Sequence, residues 1–315
     1  MTFRALASAA LGAVAIVLCI AGDGSARSTV PQAEHLGRTR LTAPSWNDSR
    51  GRAVVFVSDG VQGAVKIYAQ SNGVLVGLLT RIGPDGIATD VAGDLYVADG
   101  DQGGVLFYPP GATSPTATLN MPLSQQPFSI AISSRGDVAV NFRGGVSFFK
   151  KGKTEPYNTV SAGSFGNLWY IAYDRDGNLY LDASVSSVSV GEIVGGGSGS
   201  SITPLPISNL TSPGGVAVDR SNHLLIMDYN AATLYQYDLP NPSSPSGSVT
   251  FPGAQHPLNF ALTKSNAAIY VGAANGLGQA GTFWRFGYPS GSGPSQTIVD
   301  DGNIQGIAVS PEAKP

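Results

Sequence analysis

The sequence has few residues that could supply disulfides or a strong electrostatic field. Its 315 residues include one cysteine and three histidines, and charged residues make up only 12%. A single cysteine excludes an internal disulfide framework and a Cys-based zinc site. Because 18 Lys and Arg stand against 21 Asp and Glu, no basic field exists to attract nucleic acid or an anionic membrane, and we expect neither as a partner.

A helical apolar period is also missing. Beyond residue 26, no segment repeats its apolar residues every 3.6 positions. The composition of 42% hydrophobic residues, 41 glycines and 21 prolines excludes a coiled coil and a disordered chain. The length allows one repeat fold or two ordinary domains.

Residues 1–26 are predicted to be a secretory signal. Arg4 precedes an apolar run from residue 5 to residue 21, and Gly24-Ser25-Ala26 supplies small residues for cleavage. We therefore expect export to the periplasm or the extracellular space, with no transmembrane segment beyond the signal. The alternative is a membrane anchor, formed by an uncleaved signal or by a lipid on Cys19.

An apolar-Ala-x pattern recurs six times in the rest of the chain. Its alanines, 41 to 47 residues apart, are Ala88, Ala131, Ala172, Ala217, Ala261 and Ala308. Two residues after each alanine stands Asp, Ser or Thr, whose side chain forms turns with its own backbone. Gly or Asn, which tolerate positive φ, follows five residues after each of the first five alanines. Each unit thus predicts a strand, a tight turn and a second strand.

Two further strands complete each unit. The third strand ends on an aromatic residue in four units, at Tyr108, Phe149, Tyr237 and Phe286. Pro- and Gly-rich turns follow, and then a fourth, less regular strand. Four short antiparallel strands in about 44 residues are typical of a β-propeller blade.

The two ends of the repeat region are each incomplete. Residues 54–80 match second, third and fourth strands without a first, whereas the unit at Ala308 has no room beyond its first strand. An unpaired inner strand would leave its backbone donors and acceptors open, so we expect residues 304–310 to pair with residues 53–58. The predicted fold is all-β, a six-bladed β-propeller of four-stranded antiparallel blades whose last blade is closed by the N- and C-terminal strands.

This interpretation divides the chain into three parts. They are a signal peptide at 1–26, a flexible leader at 27–50 and a propeller at 51–315. The predicted blades occupy about 81–120, 121–163, 164–207, 208–252 and 253–299, and the sixth joins 300–315 with 51–80. We expect the protein to be a monomer.

The repeat resembles a known family. Residues 84–90, Pro-Asp-Gly-Ile-Ala-Thr-Asp, and residues 93–99, Gly-Asp-Leu-Tyr-Val-Ala-Asp, resemble the NHL repeat and the repeat of the gluconolactonase (senescence marker protein) propellers. Residues 171–182 and 215–228 look similar. The resemblance covers roughly residues 50–311 and implies a six-bladed propeller. Such blades serve enzymes, ligand carriers and interaction platforms alike.

One end of the ring is predicted to hold the ligand site. The first strands begin at this end and the second strands finish there, because neighbouring strands run antiparallel. The candidate ligand-binding residues are Asp85, Phe128, Trp169, Tyr170, Asn259 and Gln305. Aromatic rings mixed with amides and a carboxylate suit a small molecule, a sugar or a protein ligand. We therefore predict a non-catalytic ligand-binding or protein-interaction module.

The alternative function is a divalent-metal-dependent hydrolase or lactonase. The resemblance to the gluconolactonase-like families implies a metal held by acids and amides at the starts of several first strands, and Asp85 matches such a position. Asp59 and Asp99, at corresponding places in neighbouring blades, could complete a calcium or zinc site. The competing interpretation is that both aspartates cap the loops after their strands by accepting backbone N–H bonds.

No catalytic residue is assigned. His256 lies at the predicted ligand end, where we expect it to be exposed, and His223 is expected to be a solvated turn residue at the opposite end. No Gly-x-Ser-x-Gly elbow between a strand and a helix is present.

Overall fold

The computed structural model describes residues 53–122, 125–184, 188–273, 281–300 and 302–310. The predicted signal and leader lie outside these residues. Within them, the regular structure is almost entirely β, with two short 3₁₀ helices at Gly163–Phe165 and Gly196–Ser198. None of the described helices is long and apolar enough to cross a membrane.

Twenty-four strands form in the described part of the chain. The first twelve are β1 (Val54–Asp59), β2 (Ala64–Ala69), β3 (Leu75–Thr80), β4 (Pro84–Thr89), β5 (Leu95–Asp99), β6 (Gly104–Tyr108), β7 (Ala117–Asn120), β8 (Ser129–Ile132), β9 (Val138–Phe142), β10 (Gly145–Phe149), β11 (Asn158–Ser161) and β12 (Leu168–Tyr173). The last twelve are β13 (Leu179–Ser184), β14 (Val188–Ile193), β15 (Thr203–Leu205), β16 (Pro213–Val218), β17 (His223–Asp228), β18 (Thr233–Asp238), β19 (Gly247–Thr250), β20 (Pro257–Leu262), β21 (Ala268–Ala273), β22 (Thr282–Gly287), β23 (Gln296–Val299) and β24 (Ile304–Val309).

These strands pair into six antiparallel sheets of four, the blades. Blades one to five are β4–β7, β8–β11, β12–β15, β16–β19 and β20–β23, and the composite blade has the order β24-β1-β2-β3. The inner strands β4, β8, β12, β16, β20 and β24 contact one another around a closed ring. The predicted six-bladed β-propeller is confirmed.

The turns between first and second strands form as their residues predict. In blade one, Oδ1 of Asp90 accepts hydrogen bonds from the backbone N–H groups of Ala92 (2.8 Å) and Asp94 (3.0 Å). Left-handed backbone follows at the same place in each complete blade, at Gly93, Gly136, Gly177, Asn222 and Asn266. Glycine and asparagine adopt positive φ at low cost, so these turns reverse the chain without strain.

The predicted closure of the ring is also confirmed. β24 pairs antiparallel with β1, with Phe56 opposite Ala308 and Val57 opposite Ile307. The backbone of β1 is therefore hydrogen-bonded on both sides, and the composite blade has no open inner edge.

The blades pack through buried aromatic and aliphatic side chains. The four third-strand aromatics, Tyr108, Phe149, Tyr237 and Phe286, are at most 2% exposed. Blade three lacks this aromatic and buries Ile193 instead. Since each ring removes about 150–250 Å² from water, blade-to-blade packing supplies much of the stability of the fold.

A buried ion network joins the two ends of the propeller chain. Nζ of Lys66 on β2 lies 3.0 Å from Oδ2 of Asp59 and also pairs with Asp300 just before β24. The Asp59 carboxylate accepts the backbone N–H of Asn303 at 3.0 Å, and Tyr68 donates its hydroxyl to Asp300. Burial alone would lower the pKa of Lys66, but the hydrogen bonds and charges of Asp300 and Asp59 outweigh it and raise the pKa.

Replacing the buried cation tests this network. Lys66→Met should lower the free energy of unfolding by about 3–5 kcal/mol, because it leaves two buried carboxylates without their partner. Urea unfolding followed by circular dichroism measures the change. Lys150→Met is the matched control, since it removes an exposed pair with Asp137 and should cost under about 1 kcal/mol. Equal losses in the two variants would contradict the role of the network.

Candidate functional site

The inner strands enclose a central channel, a cavity of about 400 Å³ whose lining includes residues from all six of them. We call the end where the inner strands begin the start face, which includes Tyr170, Asn259 and Gln305. We call the end where they finish the turn face, which includes Asp90, Ser133 and Lys264. The volume is in the range of small-molecule pockets.

A bulge shapes the start of most inner strands. In β4 the register shifts between Pro84 and Ile87, and in β12 it shifts between Leu168 and Ile171, so that one extra residue enters the inner strand. Comparable shifts occur in the pairing of β16, β20 and β24 with their second strands. A bulge breaks the alternation of side chains between the two faces of a strand. The residues predicted to bind ligand lie mostly on these bulges.

Three of the six predicted ligand-binding residues line the channel. They are Tyr170, Asn259 and Gln305. Asp85, Phe128 and Trp169 stand at the start face but are not part of the channel lining. The structure thus divides the predicted set into a channel group, which lines the cavity, and a second group at the mouth, the opening of the channel at the start face.

The channel group is built around Tyr170. Its hydroxyl lies close to the side chain of Asn259 on β20, two blades away, and its backbone N–H donates to Oδ1 of Asp182 at 2.6 Å. Asn259 is 4% exposed and also donates to the backbone oxygen of Ile304 at 3.4 Å. Burial, with the negative charges of Asp182 and Asp85, raises the pKa of Tyr170. The phenol therefore stays protonated and can donate a hydrogen bond at neutral pH.

The mouth carries an aromatic pair. The rings of Phe128 and Trp169 meet edge to face, with centroids 5.6 Å apart and an interplanar angle of 65°. Trp169 is nevertheless 37% exposed. The backbone oxygen of Phe128 accepts the N–H of Gly86 at 2.7 Å, and a Cβ on Gly86 would come within 2.3 Å of that oxygen. Glycine is therefore needed for blades one and two to approach this closely.

Asp85 is half-buried beside this pair. Burial, followed by the charges of Asp101 and Asp99, raises the pKa of Asp85 to about 7. Its Oδ2 packs against Gly100, where a Cβ would lie only 2.7 Å away. Asp85 also lies close enough to Tyr170 for its charge to raise the pKa of the phenol. Near neutral pH the start face therefore holds a carboxyl group that is partly protonated.

The other predicted metal ligands are engaged in the fold. Oδ1 of Asp99 accepts backbone N–H groups from Gly83 (3.1 Å), Asp101 (3.1 Å) and Gln102 (3.3 Å). Oδ1 of Asp59 likewise accepts the backbone N–H groups of Val61 and Gln62, each at 3.0 Å, while its Oδ2 pairs with Lys66. These are the bonds that the capping interpretation predicts. In the part of the chain that the structure describes, no three His, Cys, Asp or Glu side chains form a metal-binding group.

The histidines differ from their expected surroundings. His223 does not point freely into solvent, because its Nδ1 lies 3.0 Å from Oδ2 of Asp219 and its side chain is 32% exposed. His256 is half-buried, with φ of 49°. Its Nδ1 has no hydrogen-bond partner among the described residues.

Sequence reasoning overlooked the turn face. A second cavity of about 370 Å³ opens there, with Arg175, Arg220 and Asn266 in its lining. The signal was available, because a basic residue directly follows the turn-capping residue in three consecutive repeats, at Arg175, Arg220 and Lys264.

Comparison with known proteins supports the architecture. No protein-family model and no curated protein matches this sequence. A protein of unknown function from Bacteroides caccae has a similar structure, with a TM-score of 0.67 and 15% identity over 83% of this chain and 100% of that one. A chain of the nidogen/laminin complex gives a TM-score of 0.65 and 16% identity over 82% of this chain and 98% of that one. Streptogramin B lyase gives a TM-score of 0.51 and 13% identity over 74% of this chain and 70% of that one. At these identities the likeness shows the fold alone.

The raised pKa of Asp85 predicts a pH-dependent stability. The folded protein keeps a proton on Asp85 up to about pH 7, whereas the unfolded chain loses it near 3.8. The stability contributed by this group is therefore greatest below pH 4 and falls as the pH rises to 7. Asp85→Asn should raise the free energy of unfolding at pH 8 by about 1–2 kcal/mol, since solvent at the mouth reduces the full effect of the shift.

Urea unfolding at pH 4, 6 and 8 measures this effect. The advantage of the variant should shrink towards pH 4, where the parent carboxyl is protonated in the folded state and partly protonated in the unfolded chain. Asp176→Asn, which changes an exposed acid at the turn face, is the control and should follow the parent. A gap between Asp85→Asn and the parent that stays constant with pH would contradict the assignment.

Proposed function

We propose that this protein is an exported, NHL-like propeller that binds a small polar ligand at the start face without catalysis. The observation that supports this most is the 37% exposure of Trp169 at the mouth of the channel, next to the half-buried Tyr170, with the buried Asn259 in the channel lining. A large ring left open to solvent next to fixed polar groups is the usual composition of a ligand pocket.

Each part of the site has a place in binding. Trp169, held by Phe128, offers a flat surface on which a sugar or another planar ligand can stack. Tyr170, Asn259 and Gln305 offer hydroxyl and amide groups to hydroxyl groups of the ligand. A sugar presents both an apolar face and a rim of hydroxyls, so it fits this combination better than a purely apolar molecule does.

The similar structures do not distinguish a binding function from a catalytic one, because they share only the fold with this protein. One is a chain from a complex named for nidogen and laminin, and another is named a lyase. Because one fold serves many functions, the choice depends on the side chains of the start face. Among the described residues these give stacking and hydrogen-bonding groups but no paired nucleophile and base.

Loss of the aromatic pair should weaken capture of a sugar. The probes are glucose, N-acetylglucosamine and cellobiose, titrated into the protein by calorimetry. For a probe that binds the parent, Trp169→Ala and Phe128→Ala should each raise Kd about 3- to 10-fold, since an aromatic contact contributes about 0.5–1.5 kcal/mol. Tyr157→Ala, which removes an exposed ring on an outer part of blade two, should leave Kd unchanged. Unchanged binding in both mouth variants would reject this surface.

A metal-dependent hydrolase is the second candidate. The observation in its favour is the crowding of Asp85 by the charges of Asp101 and Asp99, which a divalent cation would relieve. The residues do not fit a resident metal well, however, because Asp99 already caps its loop and Asp59 is paired with Lys66. A hard cation needs several free oxygens that converge, so binding remains our first choice.

Thermal unfolding with calcium or zinc separates the two candidates. We expect millimolar calcium or micromolar zinc to change the Tm by less than about 1 °C, because no three His, Cys, Asp or Glu side chains among the described residues form a metal-binding group. Asp85→Ala should respond as the parent does. An increase of several degrees that disappears in Asp85→Ala would favour the hydrolase over the binding module.

A further inference from the structure

The turn face carries a partial ring of exposed cations. They stand on the tight turns of four consecutive blades, at Arg135, Arg175, Arg220 and Lys264, and all four are exposed. None of them forms a salt bridge with another residue in the described ranges. Their charges are therefore available to a ligand.

The two turn-capping acids beside the arginines, Asp174 and Asp219, are hydrogen-bonded within the fold, whereas Asp176 next to Arg175 is an exposed acid. Oδ2 of Asp219 accepts the hydroxyl of Tyr288 at 2.8 Å and contacts Nδ1 of His223. Asp174 accepts two backbone N–H groups of its own turn at Oδ1, from Asp176 and Asn178. Both carboxylates are buried whereas the arginines are exposed, so the guanidinium groups are more accessible to a ligand than these acids are.

The two arginines are held at one cavity. Nη2 of Arg175 donates to the backbone oxygen of Arg220 at 3.2 Å, which fixes the guanidinium across the gap between blades three and four. Four of its five N–H groups remain for a ligand. Both arginines line the second cavity of about 370 Å³, and a planar guanidinium suits the paired oxygens of a carboxylate or a phosphate.

This cavity adjoins the central channel, because Ile132 and Ser134 line both. Lys264 lies on the channel side. Beyond it the channel wall carries apolar side chains that are only partly covered, among them Val216, Leu262 and Val309. Apolar surface that borders a water-accessible channel favours a ligand with an apolar part.

We propose that the turn face binds a small anionic amphiphile. Its oxyanion head, a carboxylate or a phosphate ester, contacts Arg175, Arg220 and Lys264, and its apolar tail enters the channel. From Gly86 to Asp90 the inner strand of blade one spans about 13 Å at about 3.3 Å per residue, which limits the tail to a short chain. This site is at the opposite end of the channel from the proposed sugar site and does not depend on it.

Calorimetric titration of the full chain with four probes tests the proposal at pH 7. Octanoate and octyl phosphate carry both head and tail, octanol lacks the charge, and acetate lacks the tail. Octanoate or octyl phosphate should bind at least 10-fold more tightly than octanol and acetate, and the tighter of the two identifies the head group. Its affinity should fall as sodium chloride is added, because the cations are exposed.

Charge removal locates the head group. The double variant Arg175→Gln/Arg220→Gln should weaken binding of the anionic probe at least 10-fold and leave octanol unchanged. Lys153→Gln, an exposed charge on an outer loop of blade two, should have no effect. Trp169→Ala should also have no effect, so failure here and failure of the start-face site are distinguishable. Equal binding of octanol and octanoate, or unchanged binding in the double variant, would overturn the proposal.

Discussion

Antiparallel pairing of β24 with β1 is the constraint on which the whole ring depends. Without β24 the composite blade would lose its inner strand, and the channel would lack one of its six walls. The pairing is reinforced by Lys66, whose cation joins Asp59 on β1 to Asp300 just before β24. A contact between residues more than 230 positions apart carries a large loop-closure cost. Burial of the ion network in a hydrogen-bonded setting adds specificity to that contact.

The same repeat that builds the blades also prepares the start face. Near the start of two inner strands, an acid or amide of the second strand accepts a backbone N–H group of the inner strand. Asp182 accepts the N–H of Tyr170 at 2.6 Å, and Asn141 accepts that of Ser129 at 2.6 Å. Both hydrogen bonds hold the start of an inner strand against its second strand. Burial raises the pKa of Asp182 to about 8, although the backbone hydrogen bonds oppose this rise.

The fold could be predicted from the sequence because its determinants are local and repeated. In the five complete blades, the turn between the first and second strands is set by the Asp, Ser or Thr after each Ala-x pair and by the Gly or Asn three places later. The closure was predicted from the missing strands at the two ends of the repeat region. The site was only partly predictable. Adjacent residues such as Trp169 and Tyr170 would alternate on a regular strand, and the bulge in β12 changes that relation in a way that the sequence does not state. In β12 the extra residue lies between Leu168, which pairs with Ala183, and Ile171, which pairs with Leu181. Where it falls is set by the register between the two strands, and the sequence of β12 alone does not determine that register.

The two mouths of the channel differ in which charged groups are exposed to solvent. At the start face, Asp85 and Asp182 lie in or beside the wall, and burial raises the pKa of both towards neutrality. At the turn face, donors saturate buried caps such as Asp219, and the next residue in blades three to five is an exposed cation. The two proposed ligands differ accordingly: a neutral, hydroxyl-rich molecule is proposed for the first mouth, where raised pKa values reduce the negative charge, and an anionic head group for the second, where the cations are exposed.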